Sequence, residues 1–266
     1  MFDRYDRKIN YLRVSVTDRC NLRCEYCMPE GGIQLIRHED ILSFEEITEI
    51  IKTAVKAGVD KVRITGGEPL VRKGIISLVE MIARIDGIRD LSMTTNGTLL
   101  KEYASQLKAA GLMRINISLD TIDPDRYHAI TRGGDLKKVI AGIVEAQKAG
   151  LAPIKINCVV HSSSDESDAI GVQDFCRRAG LEIRFIHLMN LHRGEFTRVE
   201  GGDGGNCKQC NRLRLAANGK IMPCLFSDLS YDTRQLGAEK AIQQAVEHKP
   251  ACGSFSNDHE FYNTGG

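Results

Sequence analysis

The chain has 266 residues, 42% of them hydrophobic and 27% charged, enough to bury a full core as one large domain or one domain with a small appendage. Its 36 basic and 35 acidic side chains leave a formal net charge of +1, which excludes a bulk electrostatic grip on nucleic acid and leaves any anion site to a local cluster. No apolar run reaches the ~18 residues of a membrane span, and "MFDRYDRKIN" is not a signal peptide. A cytoplasmic protein is therefore expected, in which nine cysteines point to metal or redox chemistry rather than to disulfides.

In chain order, the first strand is expected over about 11–17, followed by a loop carrying Cys20, Cys24 and Cys27. A helix then starts at "SFEEITEIIKTAVKAG", with Ser43 as N-cap and Glu46 completing a capping box. From there one unit recurs: an apolar-periodic helix, an Ala-Gly stop at Gly58, Gly111, Gly150 or Gly180, and a strand. Further strands follow at about 60–66, 89–96, 114–120, 153–160 and 181–189. Strands alternating with helices mean parallel βαβ units.

The side-chain alternation along those strands narrows the fold. In "LRVSVT", Leu12, Val14 and Val16 oppose Arg13, Ser15 and Thr17; in "RINISLD", Ile115, Ile117 and Leu119 oppose Asn116, Ser118 and Asp120. "PIKINCVV" and "LEIRFI" repeat the pattern with Lys155, Asn157 and Arg184 on the polar side. A doubly wound sheet covered on both faces reads apolar throughout. One polar face instead predicts a barrel with outer helices and an inner cavity, and six units predict a partial (β/α)6 TIM-like barrel. Arg13, Arg63, Lys155 and Arg184 then look inward, where uncompensated charge is costly. A polyanionic ligand in the cavity accounts for all four; interior carboxylates such as Glu68 and Asp120 are the alternative partners.

Cysteines fall into two sets. Cys20, Cys24 and Cys27 have the spacing C-x3-C-x2-C after the first strand, where ligand loops of parallel α/β folds belong. Three thiolates on a four-iron cluster leave one iron open for a ligand; zinc with a distant fourth ligand is the alternative. Cys207, Cys210 and Cys224 follow C-x2-C-x13-C, which fits either a second iron–sulfur cluster or a zinc ribbon closed by Cys252. Cys158 and Cys176 sit alone among apolar residues and read as core. Arg212 and Arg214, at period two, share one face of an extended segment; a solvated basic hairpin is the other reading.

"CNLRCEYC", with an aromatic before its last cysteine, and "ITGGEPL" resemble the signatures of radical S-adenosylmethionine (SAM) enzymes. The wider set "LRVSVTDRCNLRCEYCMP", "VRITGGEPLVR", "TTNGTLL", "NISLDTID", "KINCVV", "RFIHLM", "CNRLRLAANGKIMPCLF" and a terminal Gly-Gly resembles the GTP 3′,8-cyclase (MoaA) family of molybdenum cofactor biosynthesis, over nearly the whole chain. The resemblance implies two [4Fe–4S] clusters, on Cys20, Cys24 and Cys27 and on Cys207, Cys210 and Cys224, with SAM on the first. It implies that Tyr26, Gly66, Gly67, Glu68, Ser118 and Met189 hold SAM. It places GTP on Arg13, Arg63, Thr94, Lys155, Arg184, Arg212 and Arg214, and gives catalytic roles to Arg13 and to Gly265 and Gly266 of a tail that enters the site. Cyclisation of GTP to 3′,8-cyclo-7,8-dihydro-GTP follows, with an electron donor and the next molybdopterin-pathway enzyme as partners. A monomer or homodimer is expected, with neither nucleic acid nor membrane.

The organisation expected is a radical SAM partial barrel over 1–190, a Gly-rich linker over 191–206, and a reduced C-terminal auxiliary-cluster domain over 207–266. The family carries several tens more residues between "RFIHLM" and "CKQC" than this chain does. His187 stands where the family has an acidic residue, and Cys252 where it has a histidine, so Cys252 is a candidate to close the second cluster. These departures leave an alternative: a related radical SAM enzyme acting on another nucleotide or a peptide. A non-catalytic iron–sulfur or zinc protein that binds nucleotide is the reading from outside enzymology.

Overall fold

The computed structural model describes residues 1–257, so Gly265 and Gly266 lie outside the described residues. The six expected strands are present: β1 (Tyr11–Ser15), β2 (Lys61–Thr65), β3 (Asp90–Thr95), β4 (Arg114–Ser118), β5 (Ile154–Val160) and β6 (Glu182–His187). Between them run α1 (Phe44–Lys56), α2 (Ile75–Ala83), α3 (Leu100–Ala109), the pair α4 (Pro124–Thr131) and α5 (Leu136–Lys148), and α6 (Ser167–Ala179). Ser43 and Glu46 form the capping box of α1, and α6 closes on Gly180 at φ 65°, where the left-handed backbone favours glycine. No helix of the described residues is long and apolar enough to cross a membrane.

All six strands are parallel, in the order β6-β5-β4-β3-β2-β1, and the sheet does not close on itself. The fold is the expected partial TIM-like barrel. Leu12, Val14, Val62, Ile64, Leu91, Met93, Ile115 and Ile117 are all fully buried. They form one core with Ile47, Ile51, Leu78, Leu107 and Ile143 of the helices, together with Cys158 and Cys176.

Beyond β6 the chain does something the sequence pattern did not announce. A parallel strand, β7 (Arg212–Leu215), pairs with β1 on the side away from β2, and β8 (Lys220–Met222) and β9 (Tyr231–Asp232) extend the sheet antiparallel. The β7–β8 hairpin turns at Asn218-Gly219, with Gly219 at φ 89°. A short α7 (Thr233–Leu236) and α8 (Ala238–Glu247) follow; α8 packs on α1, and Arg234 pairs with Glu46 at 2.8 Å. Residues 191–206, expected as a Gly-rich linker, lie along the β6 edge, where Glu200 bridges to Phe185 and Val199 N–H donates to Gly204 O at 2.8 Å.

Candidate functional site

The polar face of the sheet carries the basic residues in register. Arg214, Arg13, Arg63, Ser92 and Arg114 stand side by side across β7, β1, β2, β3 and β4. One residue pair lower, Arg212, Tyr11, Lys61 and Asp90 do the same. With Arg184 of β6, all of these except Ser92 line a cavity of about 280 Å³, whose further wall holds Met189, Phe196, Cys207, Cys210, Cys224 and Gly253. The glycines of 202–205 also face it.

Among the described residues, seven cations line this cavity against two carboxylates, Asp90 and Asp203. Asp90 is already committed to Arg114 through two contacts of 2.5 and 2.8 Å. Arg184 Nε and Arg212 Nε are buried with no partner among the described residues. Burial, then the neighbouring Arg214, holds Arg13 well below its ordinary value; burial brings Arg214 down to about 10, with Arg212 adding to it. Arg63 and Arg184 are lowered too, first by burial and then through other arginines. Arg13, Arg63 and Arg214 are buried, where a charge favours a compensating partner, and guanidinium forks match phosphate, so the lining suits an anionic ligand.

Two expected GTP contacts stand apart from it. Lys155 forms an ion pair with Glu182 on the neighbouring strand, and neither it nor Thr94 lines the cavity. Thr94 Oγ1 is buried without a partner among the described residues, in register with Asn116. Arg114, Lys61 and Tyr11 line the cavity but were not singled out from the sequence, although their parity is that of Asn116, Arg63 and Arg13. Tyr11 lies under Arg63 and Arg212 at 5.5 and 5.9 Å.

The first cysteine set is positioned by backbone contacts at the C-terminal end of the sheet. Gly67 N–H donates to Thr17 O at 2.6 Å and Glu68 N–H to Arg19 O at 2.8 Å, which locks the "GGEP" turn against the cysteine loop. A side chain at Gly67 would place its Cβ 2.4 Å from Arg19 O, so the close approach requires glycine there. Gly66 takes φ 153° against Thr17. The loop turns through Cys27 N–H and Met28 N–H, both donating to Cys24 O at 3.0 Å. Cys20 Sγ accepts from Leu22 N–H at 3.4 Å and from Asn96 Nδ2 at 3.8 Å. From the other side Arg132, left-handed at φ 52°, donates to Met28 O at 3.0 Å; the sequence offered no signal for that clamp.

Glu68 is buried, accepting from Leu70 N–H, Thr95 Oγ1 and, at 2.6 Å, Asn96 N–H. Burial pushes its carboxyl up to about 7. Tyr26 donates its hydroxyl to Asp120 at 2.6 Å, and Asp120 also accepts from Val159 N–H. Ser118 sits at the end of β4, half-buried, beside Asn157. Burial, then Asp120 and the other two cysteines, pushes Cys24 up to about 12. A coordinated metal reverses that, because a ligating thiol is deprotonated outright.

At the second set Arg7 is the clasp. Its guanidinium donates to Cys207 O and Ala251 O at 2.8 Å and to Pro250 O at 2.6 Å, and it pairs with Asp3 at 2.7 Å. Lys249, 1% exposed, donates to Arg212 O at 2.8 Å and Pro223 O at 2.5 Å. Burial pushes the Cys210 thiol up, but the Lys249 ammonium, with Arg212, brings it below its ordinary value. Cys252 Sγ lies 2.6 Å from Cys207 Sγ. An all-sulfur donor set of this kind suits iron–sulfur or zinc. Among the described residues no three such ligands are gathered on the scale of a single ion, so both sets are donor sets rather than assembled single-ion sites.

The radical SAM superfamily pattern matches residues 14–176, from β1 through α6. GTP 3′,8-cyclase of Alkaliphilus oremlandii is 43% identical over 277 aligned positions, covering 87% of this chain and 86% of the relative. GTP 3′,8-cyclase of Alkaliphilus metalliredigens is 41% identical and covers 98% and 97%. The chain belongs to the GTP 3′,8-cyclase family of radical SAM enzymes. SAM and an iron–sulfur cluster are the cofactors of such an enzyme. Because 312 aligned positions are needed to place 98% of these 266 residues, some tens of the A. metalliredigens positions have no counterpart here. Among solved structures, Streptococcus suis SuiB bound to S-adenosylmethionine superimposes with a TM-score of 0.67 at 17% identity, covering 92% of this chain and 67% of that one, a likeness of fold.

Proposed function

We propose that this chain is a GTP 3′,8-cyclase that converts GTP to 3′,8-cyclo-7,8-dihydro-GTP, the first step of molybdopterin biosynthesis. The carrying observation is the register row Arg214–Arg13–Arg63, which aims three guanidinium groups into a cavity walled on its other side by Cys207, Cys210 and Cys224. The triphosphate sits on Arg13, Arg63, Arg184, Arg212 and Arg214, whose charges its own offset, and the base is directed toward the second cysteine set. Cys20, Cys24 and Cys27 hold the first cluster, and Cys207, Cys210 and Cys224 a second.

SAM held at the first cysteine set would supply, on one-electron reduction, the radical chemistry that takes the C3′ hydrogen. The protein's own contribution is position and shielding. Gly66 and Gly67 bring the turn's backbone close enough to hold the SAM amino group, with Tyr26, Glu68, Ser118 and Met189 around it. The arginine cradle would hold the nucleotide by its triphosphate and so restrict the poses open to its ribose and base. One hydrogen leaves with 5′-deoxyadenosine, and one electron and one proton return, so the product is an isomer of GTP. The electrons come from an external one-electron donor.

The test is anaerobic turnover of reconstituted protein with SAM, a strong reductant and GTP, ATP serving as control, read by mass spectrometry. GTP-dependent 5′-deoxyadenosine with a chromatographically distinct GTP isomer supports the cyclase. Deoxyadenosine with GTP unaltered would transfer the radical chemistry to another nucleotide or a peptide.

A further inference from the structure

Of the buried cations among the described residues, Lys249 is the deepest, at 1% exposed. It stands two residues past α8, whose end fixes it: His248 N–H donates to Gln244 O and Lys249 N–H to Val246 O. An ammonium has three donors. One goes to Arg212 O at 2.8 Å and one to Pro223 O at 2.5 Å. Arg212 lies two residues after Cys210, and Pro223 directly before Cys224. One side chain therefore straps together the two ends of the β7–β8 hairpin and the cysteine beside each. The third donor is left for sulfur: Lys249 acts on Cys210 by charge and by hydrogen bond, and on Cys224 by charge.

The other cations at this set have their charge offset elsewhere. Arg7 pairs with Asp3 at 2.7 Å. Arg212 and Arg214 line the cavity, where the proposed triphosphate offsets them. Lys249 is not part of the cavity lining, and the two carbonyls it holds are neutral. A buried charge favours a compensating partner, and the thiolates of Cys210 and Cys224 are the anions at hand. Its charge therefore stays on the cysteine set whatever the cavity holds.

We propose that Lys249 is a positioning residue of the second cysteine set: it ties the Cys210 and Cys224 segments together and is the resident counter-charge that raises the reduction potential of the cluster they hold. The inference rests on the second-cluster reading given above. Reduction adds one electron and no proton, so the reduced cluster carries one more negative charge than the oxidised one. A nearby ammonium without solvent screening favours that state, and a hydrogen bond to a ligating sulfur acts in the same direction.

The test uses the full chain with Cys20, Cys24 and Cys27 all changed to Ala, so that only the second site loads iron. This parent is poised anaerobically with dithionite and redox mediators, and the electron paramagnetic resonance (EPR) signal of the reduced cluster gives its midpoint potential. Lys249→Gln, which keeps a donor without the charge, loads as much iron as the parent and has a lower midpoint. Lys249→Arg, which keeps the charge, returns the midpoint toward the parent's. An unmoved midpoint in iron-loaded Lys249→Gln overturns the inference, as does a Lys249→Arg midpoint as low as that of Lys249→Gln. Should either variant fail to fold or to load iron, the parent itself decides. Grown on lysine carrying a heavy-nitrogen label at Nζ, its reduced cluster shows hyperfine coupling to a lysine nitrogen in pulsed EPR. To assign that coupling, Lys61 of the cavity and Lys208 of the cysteine loop are changed to Arg; its absence overturns the inference. A parent that binds no four-iron cluster removes the second-cluster reading itself, an outcome distinct from all of these.

Discussion

Around Cys20, Cys24 and Cys27 stand two buried carboxyls, Glu68 and Asp120, both pushed up by burial. Around Cys207, Cys210 and Cys224 the neighbours are cations: Arg7, Lys249, Arg212 and Arg214. Two sets with similar spacing thus sit in opposite fields. SAM carries a sulfonium and an ammonium, and GTP a triphosphate. On the proposed assignment, the surroundings of the first set suit the cationic groups of SAM and those of the second set the triphosphate. Cysteine spacing does not show this; charge does.

The largest effect expected separates the two sets outright. Cys24→Ala abolishes both 5′-deoxyadenosine and cyclised product, whereas Cys210→Ala abolishes the product but keeps SAM cleavage. Iron content and both nucleosides, measured on the same samples, check it, and a Cys210→Ala protein that cyclises GTP normally would break the comparison. On the acidic side, Glu68 reads out as a pH effect. Its folded value of about 7 lies above the ordinary 4.5, so between them the native carboxyl keeps a proton that the unfolded chain releases. Wild-type stability relative to Glu68→Gln therefore falls as pH rises from 4.5 to 7, by up to about 3 kcal/mol, and is level above that. Denaturant titrations of both proteins across that range measure it.

On the basic side, Arg63→Ala removes charge-assisted contacts worth about 1.5–3 kcal/mol each. It raises the KM for GTP roughly ten- to a hundredfold, while SAM affinity, read by equilibrium dialysis, stays within twofold. The smallest effect has the opposite sign for stability. Arg184 is desolvated beside Arg114 and its Nε has no partner among the described residues, so Arg184→Met stabilises the nucleotide-free protein by about 1 kcal/mol. GTP then raises Tm less in the variant than in wild type, which thermal unfolding with and without GTP tests.

Much of the barrel was legible because it is written in local period. Alternation in "LRVSVT" and "RINISLD" told inward from outward, and the stops at Gly58, Gly111, Gly150 and Gly180 all adopt positive φ. Arg114 and Tyr11, at the strand starts, share the inward parity of Asn116 and Arg13. The ion pair of Lys155 was harder, since Glu182 becomes its neighbour only when β5 and β6 align.

The sequence by itself determined the six βαβ units, the polar inner face and the two cysteine sets, because strand parity, helix stops and short ligand spacings are set by neighbours along the chain. Only the tertiary structure decided that β7 pairs with β1, placing Arg212 and Arg214 in register with Tyr11 and Arg13 some 200 residues earlier. It also decided that Arg7 ties Cys207 to the segment before Cys252, and that Lys249 is buried beside Cys210. Such long-range contacts leave no periodic trace: each requires the intervening chain to close a loop, and the burial of the whole core offsets that cost rather than any signal at the two ends.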